Sequence, residues 1–418
     1  MTPNARILSC IEIAQEILEN TSVPADRIIS IYFKSRRYIG SQDRRYIAEM
    51  VYNIIRHSPV FLEQSFIRTA RDLVIAYLIH VKNEDINRLA QYFDGSPYSP
   101  RPLSPKEREI LNLSFSQRDL KIGVPHWIKE LCPDQSDSFW QALNTSAPFD
   151  LRANILKTTR EEVLKTLNEE NIEAIPTPWS PWGLRLSSRR PLASHPLFQN
   201  GSVEVQDEGS QLLGLLCDAK PGQKILDYCA GAGGKSLVMA STMNNKGQLV
   251  LSDVAPFRLK KAQERLKRAG VHNYQCRQAD DKWFKRNPHQ FDKVLIDVPC
   301  SGAGTWRRNP DLKIRFKPNQ LDSLIDTQRD ILVKASKFVK ENGWLIYGTC
   351  SIFTQENQDQ IHWFLENHKE FQLVPVGEIW NTVLNIPYPC IDFNFLTLSP
   401  KDHYTDGFFM AVMKRVKL

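Results

Sequence analysis

Four apolar runs in the second half of the chain constrain its fold more than anything else in the sequence: KILDYC from Lys224, QLVLSDV from Gln248, DKVLIDV from Asp292 and GWLIYGTC from Gly343. Runs without polar alternation belong to strands covered on both faces. The stretches between them are long enough, and helical enough in pattern, to be crossover helices. The expected fold is therefore α/β, a doubly wound parallel sheet of Rossmann-like type. Such sheets bind ligands outside the carboxyl ends of their strands, so the residues that end these runs are the first candidates for function.

A chain of 418 residues exceeds one ordinary core and leaves room for two or three domains at roughly 150 residues each. From Met1 to about Leu120 the apolar residues recur at helix spacing, as in Ile7, Ile11, Ala14 and Leu18, and again in Ile47, Met50, Val51 and Ile54. A Pro-rich stretch from Gly95 to Pro105 is expected to be a loop. Pro148 to Ser210 mixes short strand patterns with a helix-like run, Thr159 to Asn171, and a second break, Pro176 to Gly183, which describes a small α/β module. The expected organisation is a helical domain over 1–135, a small α/β module over 136–215 and the parallel-sheet domain over 216–418.

Met1 to Asn20 carries Arg6, Glu12, Glu16 and Glu19 among its apolar positions, unlike a signal peptide, and no stretch of about 18 uncharged apolar residues offers a membrane span. The eight cysteines form no CxxC and no Cys/His cluster of zinc spacing. Reduced thiols in the cytoplasm, no membrane, no metal and a monomeric working form are expected. A net charge of +7 suits a polyanionic partner without requiring one.

The first apolar run leads straight into CAGAGGKS, where Gly231, Gly233 and Gly234 precede a helical pattern. Glycines at a strand-to-helix turn let the backbone approach a ligand, and the helix start offers unpaired N–H groups to an anionic group. Asp253 ends the second run, about 20 residues on, where an acid can bind both ribose hydroxyls. A phosphate-binding P-loop is excluded by count, since its first glycine would fall at position 229, which is Cys. The dinucleotide spacing G-x-G-x-x-G is absent as well, and S-adenosylmethionine remains the best-suited nucleoside cofactor. Asp280, in RQADDKW after a further apparent strand between the second and third of these runs, is placed to reach its adenine amino group.

The third of these runs ends in DVPC, giving Asp297 and Cys300, and the fourth ends in GTCS, giving Cys350. A cysteine taken alone is usually a small buried hydrophobe. Here two thiols, the glycine turn, Asp253 and Asp280 all fall at the same end of successive strands, so the thiols are expected to meet at one cleft.

The strings LDYCAGAGGKS, DVPCSGAGTWRRNPD, YGTCSIFTQEN and DGFFMAVMKR, with LRANILKTTREEV at Leu151 and VEVQDEGSQ at Val203, together resemble the Sun/Nop2-type RNA cytosine-5 methyltransferases, in their bacterial 16S ribosomal branch. The resemblance covers the chain from about Leu151 to its end. It departs from the commoner loop CAAPGGK at Gly231 and Ala232, a change of loop stiffness. It implies that Cys229, Ala230, Gly231, Ala232, Gly233, Gly234 and Lys235, with Asp253, Asp280 and Asp297, bind or border S-adenosylmethionine. It implies further that Cys350 is the nucleophile and that Cys300 assists product release. An RRM-like small module and a helical RNA-binding domain similar to the antitermination factor NusB are part of the same resemblance.

The chemistry has use for these groups. Carbon 5 of cytosine is a poor nucleophile until a thiolate adds at carbon 6, and covalent catalysis of this kind divides one hard step into easier ones. Asp297 is placed to hydrogen-bond the pyrimidine edge as charge develops. The target base must leave any duplex, so the surrounding RNA has to be held. Trp306, Arg307 and Arg308, just after Cys300, are expected to contact RNA, and Lys34, Arg36, Arg37, Arg44 and Arg45 form a second basic cluster. Ribosomal RNA is the expected substrate. A transfer RNA substrate, methylation of other nucleophiles and a non-catalytic RNA-binding protein are the alternatives, and the paired thiols argue against the last two.

Overall fold

Helical periodicity in the first third of the chain becomes helices whose apolar stripes face one another. In the computed structural model, which describes residues 1–279 and 282–417, the chain divides into two compact units, Met1–Ser146 with Thr305–Gln320 and Ala147–Gly304 with Leu321–Leu418. The first unit is built on α1 (Pro3–Glu19), α2 (Ala25–Ser35), α3 (Ser41–Leu62) and α4 (Ala70–His80). Along α1 the residues Ile7, Cys10, Ile13, Ala14 and Ile17 are buried, the one-sided pattern that drives a helix onto its neighbours. Thr2 caps α1 by accepting from Ala5 N, and Thr69 with Asp72 forms a reciprocal capping box at α4. The stretch from Gly95 stays non-helical until Pro105. Among the described residues no helix is long and apolar enough to cross a membrane.

Thr305–Gln320 follows directly on the Cys300 loop, yet it belongs to this helical unit. Lys313, 3% exposed, donates from Nζ to Arg56 O at 2.8 Å, Gly123 O at 2.7 Å and Asn144 Oδ1 at 2.7 Å. Asp311 Oδ2 accepts from Ala25 N at 3.2 Å, and Arg56 Nη2 donates to Arg307 O at 3.1 Å. Burial, with Arg56 close by, holds the Lys313 pKa well below the ordinary lysine range. Trp306 is 0% and Arg307 5% exposed, and Arg308 is half-buried. The second basic cluster divides too: Arg36 lies over Tyr32 and pairs with Glu12, Arg44 donates to Ile39 O, and Lys34, Arg37 and Arg45 are exposed.

The second unit opens with β1 (Phe149–Ala153), β2 (Ala174–Pro176), β3 (Gly183–Leu186) and β4 (Val203–Val205), an antiparallel sheet in the order β2-β3-β1-β4. The helix-like run expected from Thr159 is the helix Arg160–Glu169, whose Val163 and Leu167 share a core with Leu151 and Leu184. This module is packed into the same unit as the larger sheet: Glu204 of β4 pairs with Arg265 and Arg268, and Asn154 Nδ2 donates to Ala269 O at 2.9 Å.

The larger sheet comprises β5 (Lys224–Asp227), β6 (Gln248–Asp253), β7 (Tyr274–Gln278), β8 (Phe291–Asp297), β9 (Val339–Thr349), β10 (Phe371–Val374), β11 (Leu396–Leu398) and β12 (Phe408–Arg415). Its order is β10-β12-β9-β8-β5-β6-β7, with β11 also on β12. Strands β5 to β9 are parallel, whereas β12 runs antiparallel to β9, β10 and β11. The chain winds outward from β5 through β6 and β7, then resumes on the other side of β5 with β8. That reversal opens a crevice beyond the carboxyl ends of β5 and β8. Asp297 stands beside Gly348 in the β8/β9 register, so Cys300 and Cys350, a few residues further on, leave the sheet at the same edge.

Candidate active site

The ends of β5, β6, β8 and β9 open on a cavity of about 990 Å³. Its floor is the turn from β5 into the helix Gly234–Thr242. Cys229, Ala230, Gly231, Ala232, Gly234 and Lys235 line it, and Gly233 caps the helix. Gly231 has a φ of +54°, and a Cβ built there meets nothing within 4 Å, so the loop backbone lies open to whatever fills the cavity. Asp253 ties the turn down, its Oδ2 accepting from Gly231 N at 2.9 Å and its Oδ1 from Ala255 N at 2.8 Å. Each of those oxygens retains a lone pair for a further donor such as a hydroxyl. Asp280 lies outside the described residues.

The cavity wall suits S-adenosylmethionine. Asp227, at the end of β5, is 1% exposed; Ser236 Oγ donates to its Oδ2 at 2.5 Å, while its Oδ1 has no hydrogen-bond partner. Burial, reinforced by the carboxylates of Asp297 and Asp253, pushes the Asp227 pKa up to about 7. An orphaned acceptor oxygen at that place fits the cationic methionine portion of the cofactor.

The two thiols meet here. Cys300 Sγ and Cys350 Sγ are 3.4 Å apart, and both residues line the cavity. The hydrogen bond to Cys350, burial, and the negative charge of Cys350 and Glu356 push the Cys300 thiol well above the usual range. Beside them Lys235 Nζ donates to Asp297 Oδ2 at 2.5 Å. Burial works against the Lys235 ammonium, but the Asp297 carboxylate more than offsets it and raises the lysine pKa, with Cys350 and Asp227 adding to the effect.

The structure thus brings Cys229 to Lys235, Asp253, Asp297, Cys300 and Cys350 to one place. Sequence reasoning missed Asp227, although its position just before the glycine turn was a signal. It also missed the wall formed by Thr327, Asp330 and Lys334 on the helix Gln320–Ser336, for which no motif gave notice.

Known proteins resemble this chain in sequence and in fold. Residues 215–414 match the family described as "16S rRNA methyltransferase RsmB/F", and residues 125–193 match its ferredoxin-like domain, described as "Methyltr_RsmF/B-like". The chain is 31% identical over 389 residues to the ribosomal RNA small subunit methyltransferase B of Yersinia enterocolitica, spanning 85% of this chain and 89% of that protein. It is 29% identical over 389 residues to the "Probable ribosomal RNA small subunit methyltransferase B" of a Synechocystis species, spanning 91% and 85%. Among solved structures, that of PH0851 matches 99% of both chains with a TM-score of 0.80 at 24% identity, a likeness of fold.

Proposed function

Because the chain belongs to the 16S rRNA methyltransferase RsmB/F family and is an S-adenosylmethionine-dependent methyltransferase of ribosomal RNA, we propose that it methylates carbon 5 of a cytosine, with Cys350 as covalent nucleophile and Cys300 as the thiol that serves release. The observation that carries this reading is the pair of sulfur atoms 3.4 Å apart on the cavity that the glycine turn also lines.

S-adenosylmethionine supplies an electrophilic methyl group. Cys229 to Lys235, Asp253 and Asp280 would hold it, and Asp227 would meet its positive end. The Cys350 sulfur bonds to carbon 6 of the cytosine, and the electron pair of the carbon 5–carbon 6 double bond makes carbon 5 able to accept the methyl group. A base then takes the carbon 5 proton, the electron pair of that C–H bond re-forms the carbon 5–carbon 6 double bond and the Cys350 sulfur departs as thiolate; Cys300 takes part in that elimination. Asp297, oriented by Lys235, hydrogen-bonds the pyrimidine edge as charge develops.

In this reading the helical unit and the small α/β module hold the RNA around a flipped-out base, and the protein works in the cytoplasm as a monomer. Bisulfite sequencing of ribosomal RNA from cells with and without the gene tests it: one 16S cytosine should lose its protection when the gene is removed. Protection retained at every cytosine would sink the reading.

A further inference from the structure

Each thiol is followed in sequence by a serine, Ser301 after Cys300 and Ser351 after Cys350, and both serines bond to one side chain. That side chain is Glu356, 0% exposed. Its Oε1 accepts from Ser301 N at 2.8 Å and from Gln328 Nε2 at 2.9 Å. Its Oε2 accepts from Ser301 Oγ at 2.5 Å and from Ser351 Oγ. Gln328 Nε2 also donates to Pro299 O at 3.1 Å, bracing the turn that carries Cys300. The glutamate is itself anchored, since Tyr347 OH donates to its backbone carbonyl at 2.6 Å and the next residue, Asn357, donates from Nδ2 to Ser351 O at 3.1 Å. Its four side-chain donors are all neutral groups. Burying a carboxylate is costly, and hydrogen bonds to an ionised acceptor are short and strong. A carboxyl group kept in this place joins the two loops through two hydroxyls.

We propose that Glu356 is the positioning residue of the thiol pair: by holding Ser301 and Ser351 on a single carboxylate, it sets the separation and mutual orientation of Cys300 and Cys350. It acts through the serines and touches no reacting atom. The consequence for turnover rests on the covalent mechanism proposed above; the consequence for geometry does not. With the clamp loosened, attack by Cys350 still has its own loop, but release needs Cys300 at a fixed place beside the adduct, so the covalent RNA complex should accumulate.

The test uses the full-length protein as wild type, Glu356→Gln and Ser351→Ala, with binding of S-adenosylmethionine as the check on folding. Diamide oxidises the two thiols to a disulfide, the sulfurs giving up two protons and two electrons while diamide becomes its hydrazine, and peptide mass mapping follows the Cys300–Cys350 bond. Misplacement by about 1 Å can cost as much as a hundredfold in rate, so closure should slow by about tenfold or more in Glu356→Gln and less in Ser351→Ala. With RNA and S-adenosylmethionine, both variants should hold more protein in the covalent complex than wild type. Wild-type closure rates in both variants would overturn the proposal; if Glu356→Gln fails to bind cofactor, wild-type closure in Ser351→Ala alone overturns it. A wild-type enzyme that forms no adduct with RNA would defeat the covalent mechanism, and the closure rates would still decide the clamp.

Discussion

Two lysines, one at the cavity and one inside the helical unit, show how differently this chain uses a buried amine. Lys235, 8% exposed, faces the Asp297 carboxylate and has a raised pKa. Lys313, 3% exposed, faces two backbone carbonyls and an amide oxygen, and its pKa is held far down. Side chain and burial are nearly matched, so the formal charge on the partner makes the difference. The first arrangement borders a cavity and leaves its charge within reach of a substrate. The second fastens Thr305–Gln320 into the helical unit through carbonyl and amide oxygens alone. A buried amine serves chemistry where a carboxylate keeps its charge beside the site and architecture where only neutral oxygens receive its hydrogens.

The contrast breaks or holds first at these two residues. Lys235→Met should lower methylation by about a hundredfold or more, because a fixed charge beside the reacting base is lost. Lys313→Met should leave the activity of folded enzyme within a few-fold of wild type while lowering stability by on the order of 3 kcal/mol, since three buried acceptors lose their donor. Methylation assays beside urea unfolding decide the matter, and an equal loss of activity in both variants would erase the distinction.

The pH dependence of stability sharpens it further. The folded-state pKa of Lys313 lies below its ordinary 10.5, so the unfolded chain binds a proton that the folded chain lacks. Stability should therefore rise with pH in the window beneath 10.5, and Lys313→Met should lose that rise. Asp227 has the opposite sign. With a folded-state pKa of about 7 against an ordinary 3.8, its contribution is fully present below 3.8 and is lost as pH rises through 7. Urea midpoints between pH 4 and 8 should fall more steeply in wild type than in Asp227→Asn; parallel slopes would remove the buried carboxylate from the account.

The smallest effect is expected at the surface. Arg37 and Arg45 are exposed on the helical unit. If they meet RNA phosphates, replacing both with Ala should flatten the salt dependence of RNA binding by about one to two units of slope. An unchanged slope would leave the cluster as a solvated helix face.

Much of this site was legible in sequence because its parts are local patterns repeated at one sheet edge. A glycine turn, a strand-ending Asp253, DVPC and TCS each announce themselves within a few residues, and the rule for open α/β sheets gathers them. Other features depend on contacts that no local pattern encodes. The apolar run Phe408–Arg415 gives no sign of direction, and its antiparallel place beside β9 follows from the whole sheet. Lys313 reads as an ordinary surface lysine until Asn144, 169 positions away, is brought against it. Nothing in the run of sequence after Cys300 announces that the chain changes unit within a few residues of that thiol. Glu356 acquires its meaning only when Ser301, 55 positions earlier, meets it.

The most direct trial of the central claim is denaturing gel electrophoresis of wild type, Cys350→Ala and Cys300→Ala after incubation with S-adenosylmethionine and 16S ribosomal RNA, alongside methyl incorporation. Cys350→Ala should give neither methylated RNA nor a denaturation-resistant complex, and Cys300→Ala should give a complex that persists. A stable complex formed by Cys350→Ala but not by Cys300→Ala would exchange the roles of the two sulfurs and contradict the account.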